Sequence, residues 1–516
     1  MLRTSASAAL LAAFAFSIST PANADWPRFR GPNGTGISET DAPTTFGPEH
    51  NMLWKLDLPG RGISSPIVVG DKVFVTCYSG YGMGDGEGTL EDLKRHLVCV
   101  DRQSGKTLWT KTVNAKMPED EFRPPGVTTH GYASNTPASD GTHVYAFFGK
   151  SGVYAYDMDG NEIWSQSVGA ERSGKGFGSA ASPIVFEDSL IVNAADESRS
   201  LVWLDKITGE EKFRTQDNGL SECWTTPIVV SDGDASYVVL SVIGEVWGFS
   251  PSTGKLEWYA DGVNSRNAQV SAVVGDDNIV YATGEEAVAI RVGGEGDVSD
   301  SNTVWDGRVR PRYATPVVVD GYLYSVSGSV FECLDAKTGE RVFQERLPGA
   351  PDGDNEPAPN AGGRNFRGGE GDGGPQGDRG ARGDGGPRGE GDRGGEDAPR
   401  GGGRGGFGGG RPGGGGFGGP GGEGRGGEGR GGRRGGGGGG GGGDYASPVV
   451  ADGKIYITTN AGMVHVIEAK PEFKVIASND MTFDKSGFGS TPAISDGNLF
   501  LRSNNTLYCI GASDNQ

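Results

Sequence analysis

The sequence predicts an all-β chain, an eight-bladed β-propeller of four-stranded antiparallel blades. Three observations carry the prediction. A Ser/Thr-Pro-apolar pattern recurs along the chain. Behind each copy come three further apolar runs, separated by tight polar or Gly-containing turns. The last copy lacks its fourth run, and a matching run stands near the N-terminus.

In chain order, residues 1–24 read as a secretory signal peptide cleaved after Ala24. Arg3 supplies the positive start, an apolar Ala-rich run spans Ala8 to Ile18, and Ala22-Asn23-Ala24 gives a small-x-small cleavage site. That run is shorter than the about 20 apolar residues of a membrane span. A soluble exported chain, periplasmic or secreted, with no transmembrane segment is expected. Residues 25–51 form an N-terminal lead-in. Residues 52–347 hold the closing strand of blade eight and then blades one to six. Residues 348–443 are a Gly/Arg/Asp-rich disordered insertion, and residues 444–516 hold blades seven and eight.

The repeat appears as Ser65-Pro66, Thr136-Pro137, Ser182-Pro183, Thr226-Pro227, Thr315-Pro316, Ser447-Pro448 and Thr491-Pro492, with a copy at Ser271-Ala272 that has lost the Pro. Most spacings are 44–46 residues, and the two longer ones contain insertions. The Pro stands at a strand start, where a missing N–H does least harm. A polar turn such as Asp320-Gly321 leads to a second strand. A third strand ends in an acid, as in Leu97-Val98-Cys99-Val100-Asp101. A turn Gly follows (Gly105, Gly209, Gly254, Gly339), and then a strand with an aromatic at Trp109, Trp164, Phe213, Trp258, Trp305 or Phe343. Strands apolar on successive residues need cover on both faces, which radially stacked sheets provide. Leu53-Trp54-Lys55-Leu56-Asp57 matches Leu108-Trp109-Thr110-Lys111-Thr112, so the N-terminal strand is expected to complete blade eight and close the ring. The recurring aromatics are expected to wedge between blades, because a cofactor needs one stacking partner and not several.

The Asp-x-x-Thr/Ser-Gly-x-x-x-aromatic turn, with the Ser/Thr-Pro strand before it, resembles the quinoprotein-like (PQQ-like repeat) β-propeller family. The stretch from Asp25-Trp26-Pro27-Arg28-Phe29-Arg30 to Gly34 looks like the mature start of exported bacterial members. The family includes alcohol dehydrogenases dependent on pyrroloquinoline quinone (PQQ) and the non-catalytic propeller lipoprotein of the outer-membrane assembly machinery. The resemblance therefore implies the fold and leaves two functions. The first is a non-catalytic binding or assembly scaffold, without cofactor or catalytic residues. The alternative is a dehydrogenase using PQQ with Ca²⁺ on an alcohol or sugar. The vicinal Cys-Cys pair and the long capping insertions of many family dehydrogenases are absent, which favours the scaffold.

In a propeller the blade-to-blade crossings and the second-to-third turns share one face. The long segments Ser79–Arg95 and Asn114–Ala133 and the Gly-rich tract all fall there, so this crossing face is the expected binding face, for a protein partner or a small ligand. Residues just before each first strand should ring its funnel. The candidate ligand-binding set is Arg61, His130, Glu222, Trp224, Asn267, Arg310, Arg312, Asp444 and Tyr445, with Tyr132, Asn135, Phe177 and Phe488 beside them. By type, Glu222, Asn267, Asp444, Arg310, Arg312 and Trp224 suit a quinone and Ca²⁺. Asp157-Met158-Asp159-Gly160-Asn161 has a Ca²⁺-loop-like look but occupies a hairpin position and reads as a turn.

Net charge is −20, which repels a phosphate backbone and argues against nucleic acid as a partner. A monomer is expected. The five cysteines contain no CxxC pair, so no metal site is indicated. A shared hairpin register sets Cys77 opposite Leu97 and only diagonal to Cys99, at or beyond disulfide reach. All five are expected to be reduced, with that pair the one permitted exception.

Of the 94 glycines, 48 lie between positions 351 and 443, among 13 Arg and 13 acids. Such composition cannot bury enough apolar surface to offset its chain entropy. A long loop adds little closure cost, about 0.6 kcal/mol per doubling of length. Replacing residues 351–443 with a short Gly/Ser linker is therefore expected to leave the melting temperature unchanged or slightly raised. A calorimetric scan that shows a large loss would mean that the tract packs on the propeller.

Overall fold

The protein is described from a computed structural model that covers residues 25–349 and 446–512, apart from positions 85, 87, 125, 173, 234, 264–267, 308 and 310–312. The expected signal peptide, and the expected insertion beyond its first two residues, lie outside the described residues.

Eight antiparallel sheets follow one another in the expected order. Blade one is Ile67–Val69, Lys72–Ser79, Lys94–Asp101 and Thr107–Asn114, and blade six is Val317–Val319, Tyr322–Ser327, Val330–Asp335 and Arg341–Arg346. Blade eight is Ala493–Ser495, Asn498–Arg502 and Thr506–Ile510, completed by Met52–Asp57, whose Trp54 lies opposite Cys509. The ring therefore closes on the N-terminal strand, as the Trp register predicts. Middle strands such as Lys72–Ser79 are buried on both faces, whereas outer strands such as Thr107–Asn114 alternate. Apolar clusters fill the spaces between neighbouring blades all the way round.

The Ser/Thr before each first strand has a specific role. The Ser65 amide donates to the Thr136 hydroxyl, Thr136 to Ser182, Ser182 to Thr226, Thr226 to Ser271, Thr315 to Ser447 and Ser447 to Thr491, all at 2.9–3.0 Å. Each hydroxyl thus accepts the amide of its counterpart one blade back. At the closing junction Arg502 replaces this contact, with Nη1 donating to the carbonyl and hydroxyl of Ser64 at 2.9 and 2.5 Å.

A second contact ties the blades at the rim. Every pair of third and fourth strands carries a bulge at the same place. The extra residue turns outward, which exposes Leu53, Leu108, Ile163, Val304, Val342 and Ile476. The next residue turns toward the following blade. There Trp54, Trp109, Trp164 and Trp305 donate their indole N–H to the carbonyls of Arg102, Met158, Lys206 and Ala336 at 2.8–3.1 Å. Their rings lie on Gly105, Gly160, Gly209 and Gly339, where a Cβ would stand 2.5–2.8 Å from ring atoms. The aromatics are scaffold, as expected. Trp258 is the variant: it is fully buried between blades four and five, but its indole N–H has no partner among the described residues.

The lead-in does more than the sequence suggests. It enters from the hairpin-turn end and lies across the inner strands of several blades. Trp26 pairs with Val68, the Pro27 carbonyl accepts from the Ser139 amide, and Ile37–Ser38 pairs in parallel with Val450–Ala451. Arg30, 1% exposed, donates to the carbonyls of Gly34, Thr35, Thr315, Pro316 and Pro448.

One register differs from expectation. Cys77 lies opposite His96, not Leu97, and Cys99 lies opposite Phe74. The two thiols belong to different inter-blade clusters, so even a diagonal approach is lost. All five cysteines are free and buried, and burial pushes the thiols of Cys77 up to about 11 and of Cys99, Cys333 and Cys509 up to about 12. Such thiols stay protonated and unreactive. The Asp157–Asn161 segment is a turn, with the Asp157 carboxylate accepting from the amides of Asp159 and Asn161.

Gly105→Ala is expected to destabilise the protein by about 1–3 kcal/mol in chemical denaturation, because the new methyl strikes the Trp54 ring at the closing junction. Gly70→Ala is the control, since Gly70 also has positive φ (56°) but open space around it. Equal losses for the two variants would contradict a docking role for Trp54.

Candidate functional site

On the crossing face, side chains from blades one to three converge on a small, partly open polar cavity. Arg95 begins the third strand of blade one. Glu119 and Asp120 come from the crossing segment after that blade. Lys150 lies in the second-to-third turn of blade two, Gly149–Ser151, and Glu197 in the equivalent turn of blade three, Ala195–Ser198. These turns are close because consecutive blades present them side by side on one face.

The cluster is buried and mostly paired. Arg95 Nη2 donates to Glu119 at 2.5 Å, its Nε to the Tyr132 carbonyl at 3.2 Å and its Nη1 to Ser151 at 3.2 Å. Lys150 Nζ donates to Asp120 and stands 3.9 Å from Glu119. The Tyr132 hydroxyl donates to the Asp120 carbonyl at 2.6 Å. Two cations thus face two carboxylates. Glu197 is the fifth charge-bearing group. It is 1% exposed, and neither carboxylate oxygen has a hydrogen-bond partner among the described residues. Burial, with Asp196 beside it, raises its carboxyl to about 8 against the pull of Lys150. Protonated at neutral pH, it leaves the charges of the cluster balanced.

Four of the nine candidate ligand residues lie among the described residues. Arg61 donates to the Met83 carbonyl at 2.8 Å, which ties it to the blade-one insertion. His130 Nδ1 is 2.7 Å from the Ser134 hydroxyl, and desolvation lowers its imidazole to about 4. The Trp224 indole donates to the Gly178 carbonyl at 2.7 Å and meets Phe177 edge-on at 5.5 Å between centroids. Glu222 forms an ion pair with Lys175. The crossing segment between blades two and three, residues 169–180, brings Trp224 and Glu222 together, and Arg61 stands apart with blade one. Asn267, Arg310, Arg312, Asp444 and Tyr445 lie outside the described residues. Phe488 is a correction: it is fully buried against Tyr508 in the core of blades seven and eight and does not ring the funnel. Tyr132 and Asn135 are likewise buried, with Asn135 donating to Ser179 and to the Ala181 carbonyl.

Sequence reasoning passed over Arg95, Glu119, Asp120, Lys150 and Glu197. It looked only just before the first strands. The signal was a pair of acids inside the long crossing Asn114–Ala133, and a search of the second-to-third turns would have added Lys150 and Glu197. No group of three or more His, Cys, Asp or Glu suited to a metal occurs among the described residues.

Comparison with known proteins gives a consistent fold. Residues 93–345 match the family model described as outer membrane protein assembly factor BamB. The crystal structure of BamB from Moraxella catarrhalis is similar at TM-score 0.51 and 10% identity, over 90% of this chain and 98% of that one. A europium-containing methanol dehydrogenase is similar at TM-score 0.54 and 11% identity, over 95% and 98%. At such identities the likeness is one of fold. No curated protein matches.

Glu197 gives a pH dependence. Its carboxyl is raised on folding from 4.5 to about 8, so its contribution to stability is complete below about pH 4.5 and is lost as pH rises through 8. Glu197→Gln removes that dependence. In denaturant titrations the wild type is expected to lose ground to the variant between about pH 5 and 9, by roughly 4 kcal/mol at the top of the range. A gap that does not change with pH would mean that Glu197 is ionised in the native protein.

Proposed function

We propose that this eight-bladed β-propeller belongs to the quinoprotein-like, PQQ-like repeat family and serves as an exported, non-catalytic scaffold that binds a protein partner or a small ligand on its crossing face. One observation carries this reading: apart from Glu197, the charged side chains of the cluster, with Glu222, Trp224 and Arg61, are already engaged by partners within the protein. Arg95 is held by Glu119, Lys150 by Asp120, Glu222 by Lys175, Trp224 by the Gly178 carbonyl and Arg61 by the Met83 carbonyl. A face stiffened in this way presents a fixed surface for recognition.

The dehydrogenase alternative needs oxygen ligands for Ca²⁺ and a flat stacking partner for the quinone. Of the residues suited by type, the two among the described residues do not offer that set. The Glu222 carboxylate already faces an ammonium, and Trp224 is fixed by its indole N–H and packed edge-on against Phe177. Export is supported by the leader-like residues 1–24 and by the outer-membrane description of the matching family.

The test is titration of the purified protein with PQQ and Ca²⁺, followed by absorbance and by dye-linked alcohol oxidation. The scaffold reading expects neither saturable binding nor turnover. Tight binding with turnover would replace it with the dehydrogenase.

A further inference from the structure

The lead-in carries two arginines toward the propeller axis, and only one of them is satisfied. Arg30 gives its donors to five backbone carbonyls. Arg28 is 8% exposed and its guanidinium nitrogens keep some solvent contact, yet its side chain makes no hydrogen bond, ion pair or ring contact among the described residues. Neither arginine has a carboxylate partner among them, although the chain holds 67 acids. Burying a cation without a counter-charge is among the costliest arrangements in a protein interior.

Arg28 lines a small cavity with Arg30, Gly34 and the inner residues Pro227, Ser271 and Ala272 of blades four and five. Blade five is the one copy of the repeat in which Ala272 stands where the other seven have Pro. This lining residue therefore has a main-chain N–H where every other blade has none. That N–H has no acceptor among the described residues. Two unmet donors, one of them charged, thus meet at a cavity with room for one ion or water and not for an organic ligand.

We propose that this cavity is a binding site for one small monovalent inorganic anion, of chloride size, held by the Arg28 guanidinium and the Ala272 N–H. Water would satisfy the hydrogen bonds but leave the charge uncompensated. Desolvation lowers Arg28 only to about 10, so it remains a cation at neutral pH. A bound anion would also lock the lead-in to blades four and five, because Arg28 comes from the first and Ala272 from the second. The site lies inside the channel, at the starts of the first strands of blades four and five.

The probe is bromide. Crystals of the full chain in sodium bromide are expected to show an anomalous peak within hydrogen-bond distance of both Arg28 and Ala272. In solution, at fixed ionic strength, the melting temperature is expected to be higher in chloride or bromide than in gluconate, which is too large for the cavity. Arg28→Met should abolish that difference. Ala272→Pro restores the pattern of the other blades and leaves the charge in place, and it should weaken apparent bromide affinity about tenfold. It keeps the test open if Arg28→Met does not fold. A water without anomalous signal beside Arg28, or equal halide responses in wild type and Ala272→Pro, would overturn the proposal.

Discussion

Six hydroxyl-to-amide hydrogen bonds run around the propeller axis, and the rest of the ring depends on them. The blades radiate from the axis, and the first strands of neighbouring blades share no main-chain ladder. A Ser or Thr at each strand start supplies the missing link by accepting the amide of its counterpart one blade back. The Pro after it contributes no N–H, so this crowded inner ring carries few main-chain donors. Each bond has a net worth of about 1 kcal/mol. Their greater effect is geometric, because they set the same spacing at one junction after another. Trp-on-Gly contacts at the rim hold four junctions, 8–1, 1–2, 2–3 and 5–6, and the second and third of these carry the inner hydroxyl bond as well. A blade held at both ends cannot slide, and the apolar strands between are packed on both faces.

The two ends of the axis have different roles as a consequence. The lead-in covers the hairpin-turn end, anchored by Trp26 and by Arg30, whose charge is met by carbonyl dipoles. The crossing face carries the charged cluster of Arg95, Glu119, Asp120, Lys150 and Glu197, which grips the segment between blades one and two. The longest described crossing is thereby tied to the rigid ring and adds to its surface. The proposed scaffold function rests on that division: one end closed by the chain's own lead-in, the other built into a stiff polar surface.

The sequence made the periodic part of this architecture legible. Ser/Thr-Pro, the turn Gly and the aromatic recur because each meets the same steric demand in blade after blade. Trp54 could be placed in blade eight only because Trp109 showed the register. Features that occur once left no such trace. Arg30 is one basic residue among 47 in sequence, and only the fold brings five carbonyls to it. Glu119 and Glu197 are 78 positions apart and line one cavity because the blades bring their segments to one face. Cys77 was set one residue out of register, because the pairing across the Ser79–Arg95 insertion is fixed by the fold and not by local pattern. Among the site candidates, Glu222 and Trp224 have the right types for ligand chemistry, but sequence cannot reveal that Lys175 and Gly178 already engage them.

Native-state hydrogen exchange at the amides of Ser65, Thr136, Ser182, Thr226, Thr315 and Ser447 tests the central claim most directly. If the hydroxyl ring holds the blades together, these amides open only when the whole propeller unfolds. Their opening free energies then equal the global value from denaturant unfolding. Exchange through local opening, several kcal/mol below the global value while the middle strands stay protected, would contradict the account and leave the inner ring as a consequence of packing and not its cause.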